Sequence, residues 1–556
     1  MTTIKQVCLG IAVAGVVAGT GSAVATAVAS ADSGSPGGQG SAKSSNSTSS
    51  GSTARSRRPA VKSGGLATGP RRTVIKGAPS AAATGTPAPA ATVSARTVRR
   101  TITPMKLAAA LPLPAPIPAP PLPLAPAGSG ATGYSYRARS ASATVVTVTN
   151  DAADPTDVHV LVLGVDGTNL RRVLAQPDIN VNFIDLMNDS VTGVASIVGH
   201  TTISNPSWTA ILTGAWDNQT GVINNIFSAD TYVKWPTVFN QLEYYDSDID
   251  TMAIADWDVI TDIAGAGLYP ADTVTLVPQV AGDSNWSQTD AEVTAQTVAA
   301  IESGDPPNFL FSYLVQVDEA GHQYGGASPQ YAEAINRTDT NIGAIMDAVM
   351  NSGENWTVIV VTDHGHQPQL GFGHGFQSPD ETATWVIAYG AGFDPGQMNL
   401  SYSIVDVTPT VMDLFGGPPP AGSDGVSLTT LGSSQVDPAD LQQALQDAIA
   451  MNGWPDIATN VALSVRTIFA SIPYFLDGGI SSLTATLQDI AEANIFLISQ
   501  LAAVSEVVVQ VAGDALVSAT GVVAELVAWM TGVDIFSPGH PLPPPPVATE
   551  PSRLAV

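Results

Sequence analysis

Three stretches of this chain are apolar and β-branched without alternation: HVLVLGV at 159–165, FLFSYLVQV at 309–317 and TVIVVT at 357–362. A strand with one wet face alternates apolar and polar positions. A continuous apolar run is what a strand buried on both faces needs, as in a parallel sheet. Between these runs the period changes. From Tyr331 to Met350 the apolar positions Ala334, Ile335, Ile342, Ile345, Met346 and Val349 recur every three or four residues, the spacing of one helix face. Strands alternating with helices predict an α/β domain with a mostly parallel central sheet flanked by helices.

Each apolar run ends in an acid: Asp166 after the first, Asp318 after the second, Asp363 after the third. Ligands of such sheets bind beyond the carboxyl ends of the strands, so the three carboxylates are expected on one rim. A single acid there is ordinary helix capping. Here histidines accompany them. The chain has seven, and four fall within 322–374: His322, His364, His366 and His374. His322 follows Asp318 by four residues in DEAGHQYGG, His364 adjoins Asp363, and His374 stands in GFGHGF. The one cysteine, Cys8, excludes a cysteine zinc cage and a disulfide framework. An Asp/His set suits Zn²⁺, and less specifically Mn²⁺, at a site with open positions. Two ions need about six or seven ligands, and Asp166, Asp318, His322, Asp363, His364 and His374 supply six. A further candidate lies in SNPSWTAILTG at 204–214. Pro206 suits the start of a helix, whose N-terminus favours anions. Ser204 there is either a helix cap or a metal-bound nucleophile.

The remainder divides by composition. Residues 1–31 read as an export signal, with Lys5, an apolar stretch from Val7 and a small-residue cleavage site at Ala29-Ser30-Ala31. Residues 32–150 are Ser/Gly/Ala/Pro-rich and read as a disordered tether, ending near LPLPAPIPAPPLPLAPA at 111–127. The catalytic domain is expected over 151–432, an acidic amphipathic helical region over 433–536, and a disordered proline-rich tail over 537–556. No uncharged apolar run in the helical region reaches 18 residues, which argues against a membrane span. Charge is split. Residues 32–144 carry 14 Lys and Arg against one acid; residues 145–556 carry six against 47 acids. An acidic body excludes nucleic acid as its partner. The basic tail suits an anionic surface, so association with the cell envelope is expected.

In order, the motifs are Asp-Gly after a strand, Ser-x-Pro with Thr-Gly seven residues beyond the proline, Asp-x-x-x-Gly-His, Asp-His-Gly and His-Gly. Together they resemble the alkaline phosphatase superfamily, most closely its type I phosphodiesterase/nucleotide pyrophosphatase branch. GVINN at 221–225 and IVDVTPTVMDLFGGPPPAGSDGVSL at 404–428 extend the resemblance. It implies an alkaline-phosphatase-like fold and two divalent metal ions, Zn²⁺ ahead of others. One ion would sit on Asp318, His322 and His374, the other on Asp166, Asp363 and His364, with Ser204 as ligand and nucleophile. Asn225 matches an asparagine that contacts a phosphoryl oxygen. The implied chemistry is attack by Ser204 on a small phosphoester, a covalent phospho-enzyme and its hydrolysis. Three departures matter. Asn205 replaces the aromatic residue that helps hold a nucleotide base. Trp208 stands where a sulfatase has arginine, and the nucleophile is Ser rather than Cys. His366 is additional, and either lines the site or lies on the surface. A phosphomonoesterase, a sulfatase and a non-catalytic envelope binding protein are the rival readings.

Overall fold

The computed structural model describes residues 157–369, 373–492 and 498–545. The expected export segment, the basic tail to residue 150 and residues 546–556 lie outside the described residues.

Among these residues nine strands form one sheet: β1 (His159–Val165), β2 (Val191–Ser196), β3 (Thr251–Ala255), β4 (Thr273–Leu276), β5 (Phe309–Leu314), β6 (Trp356–Val361), β7 (Ala383–Tyr389), β8 (Gln397–Asn399) and β9 (Ser434–Gln435). Their order is β4-β3-β5-β1-β6-β7-β2-β8-β9. The centre, β3-β5-β1-β6, is parallel, and β7 runs antiparallel to both β6 and β2. The expected mostly parallel α/β sheet is therefore present, with two reversed strands, β7 and the edge strand β9. Alternate side chains of the central strands enter two different cores. Val160, Val162, Phe309, Phe311, Ile359 and Val361 pack on one face. Leu161, Leu163, Leu310, Leu314, Val358 and Val360 pack on the other. Both faces are covered, which is why the runs show no polar alternation.

The helices that matter for the site are α1 (Ser204–Thr213), α2 (Ser287–Ile301), α3 (Gln316–Tyr324), α4 (Pro329–Ser352), α5 (Val407–Leu414), α6 (Pro438–Ala450), α7 (Ile457–Glu492) and α8 (Ile498–Met530). The expected face of α4 is buried at all six positions. Two boundaries differ from the sequence expectation. The run at 309–317 is strand only to Leu314, and Asp318 lies in the first turn of α3. Asp290 of α2 accepts hydrogen bonds from the backbone N–H groups of Val315 and Gln316, both at 3.2 Å, and this tertiary contact turns an apolar strand into a helix start. Helix α1 begins at Ser204 itself, with Ile203 at the capping position and Pro206 third in the helix.

The acidic helical region is a long antiparallel pair, α7 and α8, with α6 before it. Its first half is tied to the domain by buried polar contacts. Arg466 donates to Asp217 (2.9 Å) and to the Thr531 carbonyl (2.7 Å). Thr467 Oγ1 donates to the Gly375 carbonyl (2.7 Å), and Asn224 Nδ2 to the Ala470 carbonyl (2.8 Å). Most of α8 is uncovered. Residues Ser499–Met530 have a mean hydropathy of 1.7 in their most apolar window, of which 11% is buried. By length and composition this helix is long and apolar enough to cross a membrane, contrary to the sequence expectation. That expectation required a wholly uncharged run, whereas the 18 residues from Val507 to Ala524 carry one charge, Asp514. The proline-rich end, expected to be disordered from 537, lies against the domain over residues 537–545. The His540 N–H donates to the Lys234 carbonyl (2.7 Å), and Tyr269 Oη donates to the Pro543 carbonyl (2.8 Å).

Candidate active site

The carboxyl ends of β1, β5 and β6 deliver the predicted acids to one rim. Asp166, Asp318 and Asp363 are all buried to within 1% of full burial. Asp166 directly follows β1, and Gly167 then turns the chain at φ +60. A Cβ on Gly167 would sit 2.5 Å from Asp318 Oδ1, so only glycine lets β1 approach α3 this closely. The Gly167 N–H donates to Asp363 Oδ1 (3.1 Å), which links the first acid to the third.

The side chains gather into two clusters, each offering ligand atoms within 4.8 Å of one another. The first is Asp166, Asp363 and His364. His364 Nε2 is 3.2 Å from Asp363 Oδ2 and 3.5 Å from Asp166 Oδ1. The second is Asp318, His322, His366 and His374. His322 Nε2 lies 3.1 Å from Asp318 Oδ2, and His374 Nε2 lies 3.1 Å from His322 Nε2. His364 and His374 stack at 3.8 Å between ring centres, so the clusters adjoin. All six acids and histidines expected from the sequence are thus brought together.

His366, left open in the sequence, belongs to this site. It is fully buried, with Nε2 2.5 Å from Asp318 Oδ1. Its backbone is held from both sides by Asn169, which accepts from the His366 N–H (2.7 Å) and donates to its carbonyl (2.9 Å). Gly321 makes room for the ring, since a Cβ there would meet it at 2.5 Å. The second cluster therefore has four candidate ligands where the resemblance implied three.

Surrounding atoms set the tautomers. His364 Nδ1 faces the Gly365 carbonyl (3.1 Å), and His374 Nδ1 faces the Thr202 carbonyl. A carbonyl can only accept, so each Nδ1 donates its N–H there and a neutral ring turns an unprotonated Nε2 toward the cluster. Burial lowers the His366 pKa to about 4, against the pull of Asp318, and also holds that of His374 well below the usual histidine range. Burial alone would raise Asp318, but His322 and His366 hold it well below the usual carboxylate range. Carboxylates and neutral imidazoles are the protonation states that metal ligands must adopt. Asp166 Oδ2 accepts from Trp208 Nε1 (2.8 Å) and from the Tyr313 hydroxyl, whose pKa burial and Asp166 push up. The Trp208 that replaces the sulfatase arginine thus orients an acid of the first cluster.

Ser204 stands at the first position of α1, 1% exposed, with Oγ 3.1 Å from His364 Nε2. Asn225 is also buried. Its Oδ1 accepts from the Asn205 N–H (3.0 Å), while Nδ2 has no hydrogen-bond partner. Sequence reasoning missed Trp208 and Tyr313 as carboxylate partners, Asn169 as the brace of His366, and Thr467 of α7 as the brace of Gly375. Only Trp208 lies in a motif, and each acts across more than 40 residues of sequence.

Fold and site together define an α/β protein with paired Asp/His clusters at its strand ends and a helix-borne serine beside them. Residues 160–374 match the family model for type I phosphodiesterase / nucleotide pyrophosphatase, the branch that the motif order resembles. Over 170 residues the chain is 28% identical to the 2,3-bisphosphoglycerate-independent phosphoglycerate mutase of Acinetobacter baylyi, covering 30% of this chain and 32% of that protein. Over 203 residues it is 22% identical to human ectonucleotide pyrophosphatase/phosphodiesterase family member 7, covering 34% and 44%. The chain thus spans less than half the length of either relative. The solved structure of murine ectonucleotide pyrophosphatase / phosphodiesterase 5 superimposes with a TM-score of 0.40 at 13% identity, over 48% of this chain and 97% of that one.

Proposed function

We propose that this domain is a two-metal hydrolase of phosphoric esters, preferring phosphodiesters or pyrophosphates to monoesters, with Ser204 as nucleophile. The observation that carries the reading is the place of the Ser204 hydroxyl, at a helix N-terminus and beside His364 where the two clusters adjoin. Asp166, Asp363 and His364 would hold one ion together with Ser204. Asp318, His322, His374 and His366 would hold the other. The donors are oxygen and nitrogen with no sulfur, which fits Zn²⁺ or Mn²⁺. Bound there, paired ions supply positive charge for the attacking and leaving oxygens of an in-line displacement.

The chain's own groups do the rest. Ser204 Oγ lies 3.1 Å from His364 Nε2, so the hydroxyl stands against the atom that would hold the first ion. The N-terminus of α1 turns the positive end of the helix toward phosphoryl oxygens. Asn225 is locked by the Asn205 N–H, so its Nδ2 is a preset donor for a non-bridging oxygen. The Oγ–P bond forms as the bond from phosphorus to the leaving alkoxide breaks, and water later cleaves the serine phosphoester.

In this reading Ser204→Ala lowers kcat by about 10³-fold or more while zinc content and fold persist. Ser204→Thr keeps part of the activity because the hydroxyl survives. Mass spectrometry of acid-quenched enzyme then finds phosphate on Ser204. A label on Thr202 or Ser207 would remove Ser204 from the role, and an unimpaired Ser204→Ala would remove the covalent mechanism. We also take residues 1–31 as an export signal that delivers the enzyme to the cell envelope. Activity that stays in the cytoplasmic fraction of expressing cells would contradict this.

A further inference from the structure

A cavity of about 470 Å³ lies between the 220–228 loop, which is inside the span matched by the family model, and the α7–α8 pair, which is beyond it. Small-molecule sites fall within about 300–1,000 Å³. Val222, Ile223 and Ile226 line it from the loop, and Val517 and Val522 of α8 line it with Phe536. Its two charged lining residues, Lys234 and Glu525, are of opposite sign. The cavity therefore offers no net charge to a further phosphate, and its aliphatic walls suit a neutral chain.

The cavity and the proposed chemistry share one loop. Asn224 lines it, and Asn225 is the following residue. Asn224 is fixed on both sides, its carbonyl accepting from Asn205 Nδ2 (2.8 Å) and its own Nδ2 donating to the Ala470 carbonyl of α7. One short loop thus carries a phosphoryl-facing amide and a wall of the cavity. The cavity also meets the outer face of α8, because Val522 lines it and is 65% exposed. The neighbouring Val523 and Leu526 are exposed as well.

The geometry points to an aliphatic subsite: the cavity takes an alkyl or acyl chain esterified to the phosphate, so the substrate class is amphiphilic phosphodiesters. This rests on the hydrolase reading above and adds a specificity element built by the C-terminal helices. Gly521 offers a clean way to close the subsite. It lines the cavity, and a Cβ there meets no heavy atom within 4 Å. A side chain can therefore start from this position without a clash at its Cβ, and replacing the glycine favours the helix.

The test uses the zinc-loaded full chain and 4-nitrophenyl phosphodiesters whose second ester is methyl, butyl or octyl. A buried methylene is worth about 0.8 kcal/mol, so partial burial of the octyl chain should raise kcat/KM at least about tenfold over the methyl ester. In Gly521→Phe the octyl-to-methyl ratio should fall toward unity, with unchanged circular dichroism confirming the helices. A flat series in the wild type, or a ratio unchanged in the variant, overturns the subsite. Calorimetric titration with octyl phosphate and ethyl phosphate separates the two readings. If no ester is hydrolysed but octyl phosphate binds more tightly and loses this advantage in Gly521→Phe, the hydrolase reading fails and the subsite stands. Equal binding of both overturns the subsite.

Discussion

Asp256, directly after β3, and Asp290 of α2 bury their carboxyl groups against each other, 5% and 0% exposed. Burial and the Asp290 charge raise Asp256 well above the usual carboxylate range; burial raises Asp290 to about 7, with Asp283 adding to it. The pair therefore keeps a proton, and it titrates as a pair. Asp290 also holds the N-terminus of α3, which carries Asp318 and His322. Both folded-state values exceed the unfolded ones, so the native state binds more protons. Stability is highest below about pH 4 as far as this pair is concerned, and falls as pH rises to about 7 and beyond, by an order of a few kcal/mol. Asp256→Asn supplies a permanent donor to Asp290 and should flatten that fall. Thermal melts of chelator-treated protein from pH 5 to 9 test it: parallel curves for wild type and variant would refute the shared proton. His366 invites a second measurement at this scale. His366→Ala and His322→Ala should each lower bound zinc from about two ions per chain toward one. Full zinc in His366→Ala would return this histidine to a packing role.

At the scale of elements, α7 is the piece that joins the C-terminal region to the site. Arg466 is 5% exposed and meets Asp217, whose carboxylate also faces His200 at 2.8 Å. Arg466→Ala leaves that buried acid without its guanidinium partner, and a cost of about 3 kcal/mol is expected in chemical denaturation. Thr467→Val removes the bond to the Gly375 carbonyl and should lower kcat for every substrate while the fold persists, since His374 precedes that glycine. A loss confined to long-chain esters would instead assign Thr467 to the cavity. The same elements explain what the sequence made legible. The central strands were readable because burial on both faces leaves an unbroken apolar run, and the site acids because they sit at or just beyond the ends of those runs. The end of β5 was not readable. Its apolar run continues to Val317, and only Asp290, more than 20 residues earlier, stops the strand. His366 was ambiguous because a loop histidine has no periodicity, and its burial depends on Gly321 and Asn169 from other elements. The bracing role of α7 has no local signature, since Thr467 and Ala470 act through a hydroxyl and a backbone carbonyl.

The whole molecule sets the field in which these parts work. Residues 145–556 carry 47 acids against six Lys and Arg, whereas residues 32–144 carry 14 against one. Two bound dications would leave the body strongly negative, so an anionic phosphodiester approaches against repulsion. Salt screens such repulsion, with a Debye length of about 10 Å at 0.1 M. KM for an anionic diester should therefore fall as ionic strength rises from about 0.01 to 0.2 M, the opposite of a basic, steering site. A zwitterionic choline diester of similar size should show little change, since its net charge is zero. Removing residues 1–144 takes away the basic counterweight and supplies no described site residue. The truncated chain should keep its kcat while its KM for the anionic diester becomes more salt-dependent. Steady-state kinetics of the two diesters with full and truncated chains give four salt curves. A KM that rises with salt for the anionic diester would mean that local positive charge at the metal clusters governs capture. A lower kcat in a folded truncated chain would mean that the tail reaches the site.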